Sequence, residues 1–274
     1  MTKELSFAIE VCQAAGQLAL DFQKRGFEVE FKVDGSVVTQ ADRQCEQLIR
    51  ERLEQEFPDD SIVGEESTDY ANVLRPTSKR TWFIDPIDGT SSYARGIPFF
   101  NTLLSLVIEE QPILGVMHAP AVGETYWAEA GSGAYKDSRR IHVSDCAELN
   151  KAYFNFGELN NIAKGPLWPG FCRLTEITAR QRGYGDCLSF GFVFEGKSEL
   201  VLEPHAHPWD FGPMKILAQE SGGRYSDTIG GTSIFAGGCF ISNGKLHDAA
   251  LAILLANENP HRSETNREDT RVSK

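Results

Sequence analysis

The amino-acid sequence predicts a layered α/β fold with helices flanking sheets, and three observations predict it. Two amphipathic helical stretches come early, within residues 5–24 and from about Ala41 to Pro58. Strand-like segments joined by short turns fill residues 100–136, and beyond residue 150 helical and strand-like segments alternate. Helices, then a meander, then alternating elements fit sheets covered by helices, because each element has one apolar face to bury.

The first helix sets Leu5, Ile9, Cys12, Ala15, Ala19 and Phe22 three and four residues apart, the spacing of one helical face. Phe27, Val29 and Phe31 alternate with Glu28 and Glu30, predicting a short strand over residues 27–32, and Asp34-Gly35-Ser36 supplies a turn. The second helix aligns Cys45, Leu48, Ile49 and Leu53, and Pro58 stops it. Residues 61–63 and 81–84 are short strands that run into acidic residues. Residues 100–109 and 111–118 pair as a hairpin, which residues 125–129 and 133–136 extend. In the second half, residues 152–156 predict a strand and residues 166–173 the start of a helix. Periodicity leaves residues 189–195 open between helix and strand, with Gly196 as a helix stop. A strand over 199–203 precedes a helix over 209–221, which has Phe211, Met214, Leu217 and Ala218 on one face and ends at Gly222-Gly223. A strand over 239–242 and a helix over 247–255 close the pattern. Residues 257–274 are polar and charged, the composition of a disordered tail. The expected organisation is a half from 1 to 150, a half from 151 to 256, and that tail.

Composition narrows the function. The 274 residues include 27 basic and 39 acidic side chains, a net charge of −12. Such a field repels a nucleic-acid backbone. It still admits a phosphorylated small molecule, since bound divalent cations invert the local sign of a carboxylate-rich site. Residues 1–25 lack an apolar core followed by a small-residue cleavage site, so no secretory signal is expected. No apolar run approaches the roughly 20 residues that span a bilayer. Six scattered cysteines without a C-x-x-C pair suit free thiols in a reducing cytoplasm.

The segment Trp82-Phe83-Ile84-Asp85-Pro86-Ile87-Asp88-Gly89-Thr90 carries the chemistry. An apolar strand delivers two carboxylates three residues apart, with a φ-restricting proline between them. Gly89 allows close backbone approach, and a short helix from Ser91 would offer free N–H groups to an anion. Carboxylate oxygens are the ligands of hard Mg²⁺, which leaves positions for water and substrate phosphate.

This segment resembles the signature of the inositol monophosphatase superfamily, and three further stretches resemble its motifs in the same order. They are residues 32–42 (Lys-Val-Asp-Gly-Ser-Val-Val-Thr-Gln-Ala-Asp), Gly64-Glu65-Glu66-Ser67, and Pro208-Trp209-Asp210 followed by Glu220-Ser221-Gly222-Gly223. The resemblance implies an αβαβα sandwich, of the kind shared with fructose bisphosphatases, and a Mg²⁺-dependent phosphatase with two or three ions. It implies that Glu65, Asp85 and the carbonyl of Ile87 hold one metal, that Asp85, Asp88 and Asp210 hold a second, and that Asp85 bridges. It further implies that Glu65 and the Thr90–Asp42 pair aim the attacking water, and that Gly89, Thr90 and Ser91 contact phosphate. A homodimer is implied as well.

Each assignment has an ordinary structural counterpart. Asp210 suits a helix N-cap, Asp42 a first-turn helix acid, and Lys32 a surface ion pair. Glu66 fits a supporting role better than a ligand. His205 and His207 match no ligand position of the family and read as loop residues near the substrate.

For the substrate, Arg182-Gly183-Tyr184-Gly185-Asp186 resembles the corresponding stretch of bacterial histidinol-phosphate phosphatases. Arg182, Asp186 and Glu203 are the expected substrate contacts. Carboxylates at Asp186 and Glu203 would suit a cationic leaving group through charge-assisted hydrogen bonds. Asp186 also suits a turn after Gly185. The expected reaction is hydrolysis of L-histidinol phosphate, as in histidine biosynthesis. Inositol 1-phosphate or a broader polyol phosphate is the alternative, and a catalytically idle metal-binding scaffold a remote one.

Overall fold

The computed structural model describes residues 1–32, 35–66, 80–184 and 186–256. Asp34 of the expected turn, Ser67, Gly185 and the tail from residue 257 lie outside them.

Helix α1 (Lys3–Arg25) starts at Thr2, whose hydroxyl accepts the Leu5 N–H at 3.2 Å. Strands β1 (Val29–Phe31) and β2 (Val37–Thr39) form a small antiparallel ribbon that leads into α2 (Gln40–Glu56). Next comes a seven-stranded sheet in chain order: β3 (Ser61–Gly64), β4 (Arg80–Asp88), β5 (Asn101–Ile108), β6 (Gln111–Ala119), β7 (Glu124–Glu129), β8 (Gly133–Lys136) and β9 (Arg139–Ile141). Among the described residues only its β3–β4 pair is parallel. The short helix α3 (Thr90–Ala94) sits between β4 and β5.

The second half contributes β10 (Tyr153–Phe156), α4 (Leu159–Lys164), α5 (Trp168–Ile177), β11 (Arg180–Arg182), α6 (Leu188–Phe194) and β12 (Leu200–Glu203). It continues with α7 (Pro208–Glu220), β13 (Arg224–Asp227), β14 (Cys239–Ser242) and α8 (His247–Leu255). Its five strands order as β11-β10-β12-β14-β13.

Side-chain alternation sorts these elements into five layers. Trp82 and Ile84 of β4, with Leu104, Leu106, Leu114 and Val116, pack under α1 and α2. Phe83, Leu103, Val107 and Met117 face the other way, onto α6 and α7, and that core also takes Val201 and Ile241 from the five-stranded sheet. The far face of that sheet, with Phe154, Leu200, Leu202 and Phe240, is covered by Phe171 and Leu174 of α5 and by Ala250 and Leu254 of α8. The result is an αβαβα sandwich whose middle helical layer is shared by both halves. Full burial of a large apolar side chain contributes ~2 kcal/mol, so this shared core ties the halves together.

One contact in that layer positions chemistry. Helix α7 lies so close to the seven-stranded sheet that Gly212 meets Ser105, and a Cβ on Gly115 would stand 2.6 Å from Pro213 Cα. Small residues on both surfaces let the first turn of α7 reach the end of β4.

Periodicity missed β2, β9, β11, β13 and α4, each six residues or shorter. Residues 188–194 resolve as a helix; six of the seven are buried, so no polar stripe marks its period. All six cysteines are free, and no helix among the described residues is long and apolar enough to cross a membrane.

Candidate active site

In a regular strand, residues three apart point to opposite faces. Strand β4 breaks that rule where it matters. Its register against β5 shifts between Asp85 and Asp88, at Pro86-Ile87, a bulge that re-aims side chains. The Ile87 N–H donates to Asp85 Oδ1 at 3.0 Å and fixes that carboxylate. Asp88 Oδ2 accepts from Asn101 Nδ2 and from the Cys187 N–H, both at 2.7 Å. Carboxylate oxygens of Asp85, Asp88 and Asp210 all lie within 4.8 Å of one another.

Asp210 and Asp42 are positioned alike. Each is the third residue of its helix, and each carboxylate accepts the N–H of the N-cap residue: His207 to Asp210 at 2.7 Å, Thr39 to Asp42 at 2.8 Å. The expectation that Asp210 is itself the N-cap is corrected by one turn geometry, since His207 holds that position. Asp42 is the first-turn acid expected. Both acids spend Oδ2 on the cap, and Asp42 Oδ1 takes the Thr90 hydroxyl at 2.9 Å. That hydroxyl also stands 2.9 Å from the Ile87 carbonyl oxygen.

Such crowding perturbs the three converging aspartates. Burial, then the charges of Glu65, Asp210 and Asp88, hold Asp85 well above the usual carboxylate range. Burial and then Asp186 and Asp210 do the same to Asp88, and burial foremost pushes Asp210 up to about 7. Among the described residues Lys32 is the one ammonium lining this cavity, and it is engaged with other acids, 2.7 Å from both Glu65 and Glu66. Lys32 is therefore no mere surface partner, and Glu66 stands beside Glu65 in support, its own carboxyl pushed up to about 7 by burial and by Glu65. Three converging carboxylates, two of them buried and one half-buried, with no counter-charge among them in the described residues, suit a hard divalent cation, which would supply the missing charge. Asp85, Asp88 and Asp210 would hold it, with Glu65 and the Ile87 carbonyl adjoining.

A cavity of about 710 Å³ opens over these groups, lined by Lys32, Glu65, Asp88, Asp186, Glu203 and Asp210 among others. Gly89 has φ +83°, and a Cβ there would stand 2.8 Å from the Asp186 carboxyl carbon, so only glycine fits. Ser92 Oγ donates to Asp186 Oδ2 at 3.0 Å. Helix α3 begins at Thr90, one residue before the expected Ser91, which is exposed. Glu203 is 8% exposed and held well above the usual range by burial first. His205 and His207 line the cavity with rings 5.5 Å apart. Arg182 is not brought there: it lies on the exposed face of edge strand β11, its guanidinium on the Gln181 carbonyl. Sequence reasoning missed Asn101, Ser92 and Glu158; the one signal for Asn101 is a polar residue heading an apolar strand.

Residues 1–259 match the model of the inositol monophosphatase family. The chain belongs to that family. Among relatives, it is 36% identical over 258 residues to a histidinol-phosphatase of Chlorobaculum parvum, covering 94% of this chain and 98% of that protein. It is 31% identical over 253 residues to a fructose-1,6-bisphosphatase/inositol-1-monophosphatase of Thermotoga maritima, covering 91% and 95%. The solved inositol monophosphatase TM1415 of T. maritima superposes with TM-score 0.82 at 31% identity, over 92% of this chain and 97% of that one. The chain is thus a metal-dependent phosphomonoesterase of this family, and an acidic triad of Asp85, Asp88 and Asp210 lies at the floor of its cavity.

Proposed function

We propose that this protein hydrolyses L-histidinol phosphate to L-histidinol and phosphate. One observation carries the reading: the cavity above the metal acids is lined on its substrate side by further carboxylates, Asp186 and Glu203 among them. A neutral polyol gives buried carboxylates only hydroxyl donors, whereas an ammonium or imidazolium also offsets their charge. Three relatives at 34–36% identity carry the name histidinol-phosphatase, which supports the same ranking.

When bound, Mg²⁺ ions polarise the phosphoryl group, acidify water and stabilise the leaving oxygen. The chain's own residues do the rest. Gly89, Thr90 and Ser91 cradle the phosphate at the start of α3, where N–H groups precede the first helical bond, from Tyr93 N–H to the Gly89 carbonyl. Thr90 Oγ1 accepts a proton from the attacking water and passes its own to Asp42 Oδ1, and Glu65 orients that water. Water oxygen bonds to phosphorus, the P–O bond to the alcohol breaks, and the departing oxygen takes up a proton from solvent water. The resemblance also carries a homodimer acting in the cytoplasm.

The test is Mg²⁺-dependent phosphate release from L-histidinol phosphate beside inositol 1-phosphate. A higher kcat/KM for histidinol phosphate is expected. Preference for inositol 1-phosphate removes the substrate assignment, and no turnover of either removes both.

A further inference from the structure

The cavity holds a third substrate-side carboxylate, Glu158. It caps the start of α4 in a left-handed conformation, φ 35° and ψ 57°. Asp186, across the cavity, is also left-handed at φ 63°. Non-glycine residues seldom adopt that backbone, and such strain persists where the surroundings impose it. Asn161, which also lines the cavity, donates its amide to the Glu158 carboxylate and steadies it.

Glu203 supplies an independent observation. It is more than nine-tenths buried and lines the cavity, yet its Oε1 has no hydrogen-bond partner among the described residues. Space for it is cleared on purpose at Gly157, where a Cβ would collide with Glu203 Oε2. An unpartnered buried carboxylate oxygen is unfavourable unless a donor fills the site. Burial and then the charge of Glu158 raise Glu203, and Glu158 adds to the burial that raises Asp186, so the three acids act on one region. The cavity's ammonium cannot serve, since Lys32 is bound to Glu65 and Glu66.

We propose that Glu158, Glu203 and Asp186 form a subsite for an organic cation, and that Glu158 is the residue selecting phosphate esters of protonated amino alcohols over those of neutral polyols. The inference rests on the phosphatase reading above and names the part of the cavity that reads the leaving group. The ammonium donates to Glu203 Oε1, while Glu158 and Asp186 supply charge. Glu203 gives the buried hydrogen bond; exposed Glu158 gives discrimination by charge.

The experiment is calorimetric titration of free L-histidinol and of myo-inositol into the full-length Mg²⁺-loaded protein, wild type and Glu158→Gln. Because Glu158 is exposed, glutamine replaces it without loss of core packing, which circular dichroism checks. L-Histidinol affinity is expected to fall about fivefold, a modest loss because solvent screens an exposed charge. Myo-inositol affinity is expected to hold, and added salt should weaken histidinol binding more in wild type than in the variant. Equal weakening for both ligands, no weakening, or no histidinol binding to wild type overturns the subsite. A fall in Mg²⁺ stoichiometry in the variant overturns it too, since the acids would then be holding metal. Failure of the substrate reading looks different: histidinol binds in a Glu158-dependent way, but its phosphate ester is not turned over.

Discussion

Removing the metal should leave a protein whose stability deficit grows with pH. Asp210 is the acid that sets the scale, since burial and its neighbours move it from the ordinary 3.8 to about 7 in the metal-free chain. A carboxyl with a raised folded pKa holds its proton more tightly when folded. Its stabilising contribution is therefore complete below about 3.8 and is lost as pH climbs through about 7. The slope is about 1.4 kcal/mol per pH unit across that window, or ~4 kcal/mol in all as an order of magnitude. Mg²⁺ reverses the effect by taking the place of the protons, and its binding weakens at low pH because its ligands must ionise. The observable is the difference in Tm between Mg²⁺-saturated and EDTA-treated protein from pH 5 to pH 8. His247, pushed down to about 4 by burial, and Glu195, held at about 2 by its lysine and tyrosine partners despite burial, lie in other parts of the fold and cancel in that difference. From pH 5 to about 7 that slope amounts to about 2.7 kcal/mol, so the difference should widen by roughly 5–10 °C toward pH 8, from the usual few degrees per kcal/mol. A metal-dependent shift that stays constant or shrinks over this range refutes the view that the triad is a proton site in competition with metal.

Three substitutions test the assigned roles. Asp85→Asn should abolish phosphate release with an unchanged circular-dichroism spectrum; turnover near wild type would take Asp85 out of the metal site. Thr90→Val should lower kcat by about 10²–10⁴, the range of general acid–base assistance, with Thr90→Ser restoring most of it; equal losses in both variants would point to packing instead of the hydroxyl. Gly157→Ala should cost about 1–3 kcal/mol in denaturant unfolding, because the new methyl overlaps Glu203 Oε2 and must displace it; an unaltered midpoint would show that Glu203 moves freely.

Much of this site was legible in the sequence because its signals are local. Asp85 and Asp88 sit in one short run with proline between them, and that spacing alone implies a break in strand geometry. Asp42 follows Thr39 by three residues, the spacing of a capping box, so a helix start could be placed there too. Layering was legible because α1, α2 and the meander carry clear periods. The losses have physical causes as well. Strands of three or four residues show too few alternations to register, which hid β9, β11 and β13. Arg182 was read as a substrate contact from its motif, but alternation along β11 turns it outward with Arg180 while Gln181 faces in. Glu158 could not be found because a left-handed glutamate has no sequence mark, and its neighbours Asp186 and Glu203 are 28 and 45 residues away in the chain.

The fold suits a metal site because it orients its aspartates without using basic residues, and Lys32 engages only Glu65 and Glu66. A buried carboxylate held by arginine or lysine would be neutralised and of little use to a cation. Here Asp42 and Asp210 are held by backbone N–H groups at helix starts, and Asp85 and Asp88 by the N–H groups of Ile87 and Cys187. Each such bond fixes one oxygen and adds only partial positive charge. The acids stay anionic enough to attract metal yet too crowded to be comfortable without it. The close packing of Gly212 and Pro213 on Ser105 and Gly115 then decides whether Asp210 reaches the others. The place offered to a divalent ion would thus be set by backbone geometry, at the β4 bulge and at the start of α7, with the start of α2 aiming Asp42 at Thr90.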